Sequence, residues 1–188
     1  MENKKLLIAF VGMPGSGKTE ATSFLHQKGL PFVRFGDVTD AGLKAQGLPM
    51  TPQAERTFRE DIRKQLGMAA YAIKSESQIL TLLEKNNVVI VDGLYSWAEY
   101  IYLKQKFPNL MLIHVYARPA VRYKRLAIRK IRPIEAAEAY TRDIAEIEKL
   151  DKGGPIAIAD YLIENNGDSL DELQEKVAIT LGKIGVTI

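Results

Sequence analysis

The chain has 188 residues, with 26 Lys and Arg against 23 Asp and Glu, a formal net charge of +3 and no cysteine. Its length fits one domain with a single sizeable core, and the charge total gives no support to a general nucleic-acid or membrane-surface role. Zero cysteines exclude a disulfide frame and a thiolate metal site. No apolar run approaches the roughly 20 residues of a membrane span, and residues 1–5 are too short and polar to open a signal peptide, so a cytoplasmic location is the default expectation.

Residues 6–11 (LLIAFV) form an apolar run of buried parallel-strand type. They lead into GMPGSGKT at 12–19 and then into EATSFLHQK, which has helical spacing. Strand, glycine-rich loop and helix in this order are what a P-loop requires. Gly12, Gly15 and Gly17 lack a Cβ, so successive backbone amides can turn toward one anion at the positive end of the helix dipole. Lys18 would reach the β- and γ-phosphate oxygens of ATP, and Thr19 would offer its hydroxyl to Mg²⁺. Gly12, Gly15, Ser16, Gly17, Lys18, Thr19 and Glu20 are therefore the candidate cofactor contacts. A dinucleotide fingerprint fails because GxGxxG would need glycine at Glu20, and no NKxD segment supports guanine.

Gly29 stops the first helix, and residues 31–35 are a weaker strand candidate. Asp37 follows in RFGDVTD, with Asp40 a weaker duplicate. A carboxylate there can accept a proton from an attacking hydroxyl or simply form a turn, and Arg34 is a candidate for an acceptor phosphate. Thr51 and Pro52 supply an N-cap and a first-turn proline. In the helix that follows, Arg59 either binds the acceptor or belongs to a solvated face built on Glu55–Arg59 and Glu60–Lys64 pairs.

Residues 88–91 (VVIV) form a short β-rich run ending at Asp92, followed by Gly93. At the carboxyl edge of a parallel sheet Asp92 is a Walker-B-like metal or acceptor carboxylate; its alternative is a turn-forming aspartate. Ser96 with Glu99, and Ser169 with Glu172, are capping-box patterns. Residues 110–116 and 160–164 complete five strands, and Gly182 is expected to stop the last helix.

Between Arg118 and Arg132 lie seven basic residues and no acidic one. Arg118, Arg122, Arg125, Arg129 and Arg132 recur at helical intervals, which predicts one arginine-lined face. Three explanations compete: a phosphate-stabilising lid, a nucleic-acid contact face, or a helix salt-bridged to Glu135, Glu138 or Asp143.

Strands alternating with helical sequence predict an α/β, three-layer P-loop fold. AFVGMPGSGKT, RFGDVTDAG, FREDIRKQLGMAAYA, VVIVDGLYSWAEY, HVYARPAVRYKRLAIR and RDIAEIEKLDKGGPIAIADYLIENNGDSLDEL span nearly the whole chain in order. Together they resemble the P-loop nucleotide-kinase-like proteins, and among these the uncharacterised, largely archaeal family related to dephospho-coenzyme A kinase. The resemblance implies a five-stranded parallel sheet in the order 2-3-1-4-5, in one domain over 1–188. It also implies an acceptor-binding segment at about 36–80 and a lid at about 118–140. Arg125 and Arg129 fall in the RLxxR lid motif, and the Asn165–Asn166–Gly167 turn falls where relatives contact adenine. The chain departs from dephospho-coenzyme A kinases in having FGD after the second strand and DGLYSW after the third, and from the uncharacterised family, which often has acidic residues just after the lid arginines, in having Pro133 and Ile134 after Arg132; the acceptor is left open.

The expected function is a Mg²⁺- and ATP-dependent phosphotransferase acting on a small nucleotide-like acceptor, with Lys18, Asp37, Arg125 and Arg129 as catalytic candidates and Arg34, Asp37, Arg59 and Asp92 on the acceptor side. The alternative is a regulatory P-loop ATPase whose nucleotide state controls a protein or RNA partner.

Overall fold

The computed structural model describes residues 5–129 and 133–188. At its centre β1 (Leu6–Val11) is buried along its whole length. Leu7, Ala9 and Val11 join a core with Phe35, Tyr71, Ile79 and Leu103, whereas Leu6, Ile8 and Phe10 join another with Leu25, Ile113, Val177 and Leu181. This two-residue alternation between cores is what a strand covered on both faces produces. Burying a side chain such as Ile8 or Phe10 fully contributes roughly 1.5–3 kcal/mol.

The other strands are β2 (Phe32–Arg34), β3 (Val88–Asp92), β4 (Leu110–Tyr116) and β5 (Tyr161–Glu164). They pair in parallel in the order β2-β3-β1-β4-β5, the order implied by the resemblance to P-loop nucleotide-kinase-like proteins. One face is covered by α1 (Lys18–Gln27) and α9 (Leu170–Ile184) through Ala21, Leu25, Val177 and Leu181. On the other face, α4 (Ala70–Lys85) and α5 (Trp97–Lys106) contribute Tyr71, Ile79 and Leu103. Phe10 lies opposite Asp92, and Val11 opposite His114. The strands thus deliver the glycine loop, Asp92 and the segment after β4 to one edge of the sheet, where ligands gather in open parallel sheets.

The remaining helices are α2 (Gly36–Ala45), α3 (Pro52–Leu66), α6 (Pro119–Ile128), α7 (Ala136–Leu150) and α8 (Gly153–Ala157). Thr51 caps α3 by accepting from the Ala54 amide at 3.2 Å. Ser96 and Glu99 close a full capping box at α5. At α9 only half the expected exchange forms, because Ser169 accepts from the Glu172 amide while Lys176 engages the Glu172 carboxylate at 2.5 Å.

Three boundary expectations need correction. The last helix runs through Gly182 and ends at Gly185, which takes φ 84° and serves as its C-cap. Asp160 precedes β5, its carboxylate accepting from the Leu112 amide at 2.8 Å. The arginine face is interrupted: α6 ends at Ile128, Arg118 and Arg129 are its two caps, and Arg129 is extended. Arg132 lies outside the described residues. Among the described residues no helix is long and apolar enough to cross a membrane.

Candidate nucleotide and acceptor site

The loop between β1 and α1 closes tightly against its neighbours. A Cβ on Gly12 would lie 2.3 Å from the Val115 carbonyl oxygen, and one on Gly17 would lie 2.3 Å from Asn165 Nδ2. Gly17 has φ 103°, in the left-handed region, so glycine is needed there both for conformation and for space. The loop is fixed from outside: Asn165 Nδ2 donates to the Ser16 carbonyl at 2.8 Å, and Arg122 Nη1 to the Pro14 carbonyl at 3.0 Å. The Ser16 hydroxyl is buried without a hydrogen-bond partner. A cradle with no room for side chains and an unsatisfied hydroxyl fits an anion such as a phosphate.

Lys18 folds back to donate to the Met13 carbonyl at 3.0 Å. Burial, and then the ammonium of Lys152, hold the Lys18 amine down at about 7, against the opposing pull of Glu146 and Asp92. Asp92 is buried at the end of β3. Burial pushes its carboxyl up from the ordinary value, while Lys18, Arg34 and the Thr22 hydroxyl pull it down. Thr19 and Glu20 are exposed at the start of α1. A hydroxyl (Thr19) follows Lys18 in the chain and a buried carboxylate (Asp92) ends β3 on the same sheet edge, while no cluster of three or more acidic or histidine ligands exists among the described residues. That donor set suits a cation which takes most of its ligands from phosphate and water, as Mg²⁺ does.

Asp37 sits in the first turn of α2, following β2 directly. Arg34 Nε donates to it at 2.6 Å, and Arg34 Nη2 bonds Asp40. The candidate acceptor-phosphate arginine is therefore held between two carboxylates. Arg59 pairs with the buried Glu55 at 3.3 Å, so the proposed solvated face is partly wrong: Glu55 is inside, Glu60 pairs with Arg56, and Lys64 with Asp61. A cavity of about 1070 Å³ opens from Arg34 and Asp37 between α2, α3 and α4, with Val38, Leu48, Phe58 and Ile62 among its apolar lining and Gln46, Gln65 and Gln78 among its polar lining.

The two described stripe arginines inside α6 are engaged with protein. Arg122 pairs with Asp143, the salt-bridged alternative of the sequence analysis. Arg125 donates to the Asn165 carbonyl at 2.9 Å and to that of Gly167. Asn166 accepts from the Arg118 amide at 2.8 Å, so it is Asn165, not Asn166, that touches the glycine loop. Lys152, Glu146 and Arg142 were not singled out from the sequence, yet all three act on Lys18. Their segment, RDIAEIEKLDK, reads as an ordinary charged helix face, and nothing in its spacing marks Lys152 for burial.

Residues 8–146 match the AAA domain family. Over 183 residues the chain is 31% identical to a UPF0200 protein of Pyrococcus abyssi (strain GE5 / Orsay), covering 95% of this chain and 97% of that one. It is 33% identical over 172 residues to a UPF0200 protein of Methanocaldococcus jannaschii, covering 90% and 86%. The fold is similar to a shikimate kinase from Bacteroides thetaiotaomicron, with TM-score 0.60, 17% identity and coverage of 96% and 99%. A gluconokinase from Sinorhizobium meliloti 1021 is similar at TM-score 0.58, 17% identity and coverage of 95% and 93%.

Proposed function

This chain belongs to the AAA domain family and to the UPF0200 proteins, and we propose that it is a Mg²⁺- and ATP-dependent phosphotransferase acting on a small nucleotide-like acceptor, in the manner of a dephospho-coenzyme A kinase. The supporting observation is the glycine cradle, closed at Gly12 and Gly17 with no room for a side chain, with Lys18 opening α1 and Asp92 ending β3 at the same carboxyl edge of the sheet. ATP supplies the phosphoryl group and Mg²⁺ offsets charge on its oxygens.

The residues then divide the work. The backbone from Gly12 to Glu20, with Gly15, Ser16 and Gly17 at its centre, binds phosphates, and Lys18 exchanges the Met13 carbonyl for phosphate oxygens. Thr19 and Asp92 hold the metal. Asp37 orients the acceptor hydroxyl or takes its proton, and Arg34, Arg59 and Asp92 line the acceptor side. Arg125 and Arg129 belong to a lid over about 118–140, and the turn containing Asn166 lies beside the base. The acceptor-binding segment at about 36–80 contributes the cavity between α2, α3 and α4.

The test is incubation of the protein with Mg-ATP and a panel of dephospho-coenzyme A, nucleoside monophosphates, deoxynucleoside monophosphates and nucleosides, measuring ADP and phosphorylated product. Product from one acceptor that falls roughly 10²- to 10³-fold in Lys18→Ala is the expected result. ADP without product, stimulated by RNA or a protein fraction, would instead indicate the regulatory ATPase.

A further inference from the structure

The large cavity between α2, α3 and α4 reaches the same sheet edge as the glycine loop. Arg34 ends β2 opposite Asp92 of β3, and Asp92 in turn lies opposite Phe10 of β1, two residues before Gly12. Two strand spacings, about 10 Å, therefore separate the Arg34 backbone from the strand that feeds the loop. Arg34 and Asp37 both line the cavity.

The charge of this lining is unsuited to a phosphate. Among the described lining residues the charged ones are Arg34, Lys74, Asp37 and Asp61, two of each sign. Lys74 and Asp61 are exposed, where a charge contact contributes little. Arg34 is already engaged, with Nε donating to Asp37 Oδ1 at 2.6 Å and Nη2 to Asp40. The guanidinium and its two carboxylates together carry one net negative charge. A phosphate monoester brought to Arg34 would meet both carboxylates as well, and like charges set side by side cost affinity. Arg59 is held by Glu55 at 3.3 Å and is not among the described lining residues.

The rest of the lining is neutral. Gln46, Gln53, Gln65 and Gln78 supply amides, each able to donate and to accept, which suits uncharged polar groups on a ligand. Phe58 lies so close over Gly42 that a Cβ there would stand 2.1 Å from Cζ, and its partly buried ring offers a flat apolar surface beside Ile62. The volume of about 1070 Å³ is ample for a small molecule, whose pockets run to roughly 1,000 Å³.

We propose that this cavity takes an uncharged alcohol with a planar apolar body, a nucleoside rather than a nucleoside phosphate, and that the Arg34–Asp37–Asp40 cluster selects against acceptors that carry phosphate. The assignment rests on the phosphotransferase function proposed above and narrows its nucleotide-like acceptor to the phosphate-free form. In the transfer step the acceptor hydroxyl oxygen bonds to the γ-phosphorus of ATP. The bond from that phosphorus to the β,γ-bridging oxygen breaks, its electron pair leaves with ADP, and the hydroxyl proton passes to Asp37. Arg34 meets Asp37 through Oδ1, which leaves Oδ2 for that proton.

Initial rates at saturating Mg-ATP, and calorimetric binding without ATP, are compared for each common ribonucleoside, its 5′-monophosphate and dephospho-coenzyme A. The best nucleoside should exceed its monophosphate at least about tenfold in kcat/KM. Asp40→Asn removes one carboxylate from Arg34 and should narrow that preference about threefold or more by improving the monophosphate. A monophosphate or dephospho-coenzyme A used as well as every nucleoside would overturn the assignment and leave the phosphotransferase function standing. An unchanged preference in Asp40→Asn would overturn the selecting role of the cluster. Tighter binding of a nucleoside than of its monophosphate, with no product from any compound, would overturn the phosphotransferase function and uphold the ligand class of the cavity. Neither binding nor turnover of any nucleoside would overturn the assignment.

Discussion

Arg122 and Asp143 form a two-point guanidinium–carboxylate pair, Nη1 to Oδ1 at 3.0 Å and Nη2 to Oδ2 at 2.5 Å, with side chains 5% and 8% exposed. Because Arg122 Nη1 also donates to the Pro14 carbonyl, the pair fastens α7 to the glycine loop through α6. Breaking a buried pair by removing one partner leaves the other charge uncompensated, which typically costs about 3–5 kcal/mol. Arg122→Met should therefore lower unfolding free energy by that order in urea titrations. Arg122→Met/Asp143→Leu, which removes both charges, should recover much of the loss. A double variant no better than the single one would show that the Pro14 bond carries the effect.

Glu99 is fully buried, accepting from the Tyr95 and Ser96 amides at 2.6 and 3.0 Å through Oε2, while Oε1 has no partner. Burial pushes its carboxyl up from 4.5 to about 7, against those two amides and the charges of Arg63 and Lys152. Between these values the folded protein keeps a proton that the unfolded chain has released. Stability attributable to Glu99 therefore falls as pH rises through that window, by at most about 1.4 kcal/mol per unit, and levels off above it. Glu99→Gln should remove this slope, so its advantage over wild type should grow between pH 5 and 7 in denaturant titrations. A constant difference across that range would mean that Glu99 is ionised throughout.

The two halves of the site differ in how far the sequence revealed them. Lys18 and Asp92 were legible because each ends a local pattern: a strand feeding a glycine loop, and a β-rich run ending in a carboxylate. Helical spacing likewise grouped the arginines, but spacing gives a face and not what lies across it. Arg122 meets Asp143, 21 positions on, and Arg125 meets the turn after β5. Lys152 was illegible for a related reason: its burial depends on the reversal at Asp151 and on Tyr95, from a distant segment. The expected stop at Gly182 failed because glycine is tolerated within a helix at roughly 1 kcal/mol, and a better-placed glycine follows at 185.

Gly17 and Gly29 separate conformation from space. Both have positive φ, 103° and 87°, yet a Cβ on Gly17 meets Asn165 Nδ2 at 2.3 Å whereas one on Gly29 meets nothing within 4 Å. Gly29→Ala should cost roughly 1–2 kcal/mol of stability and leave nucleotide affinity alone. Gly17→Ala should also displace the Asn165 amide from the Ser16 carbonyl and weaken ATP binding by roughly tenfold or more. Parallel binding and denaturation measurements on both variants check this, and equal ATP affinities would mean that the cradle does not contact nucleotide.

Gly42 and Phe58 control the room between α2 and α3, where both line the large cavity. A Cβ on Gly42 would lie 2.1 Å from Phe58 Cζ and 2.2 Å from Cε2, so Gly42→Ala must move the ring or part the helices. Either response changes the cavity without touching the glycine loop. The helix gains roughly 1 kcal/mol from alanine, and overpacking costs about 1–3 kcal/mol, so net stability should change modestly. If the acceptor occupies this cavity, Gly42→Ala should raise its KM roughly tenfold while the affinity for Mg-ATP stays within about twofold. Gly42→Ala/Phe58→Leu returns the space and should restore KM. Loss of ATP affinity in step with KM would place the effect on the whole fold, and an unchanged KM would place the acceptor elsewhere.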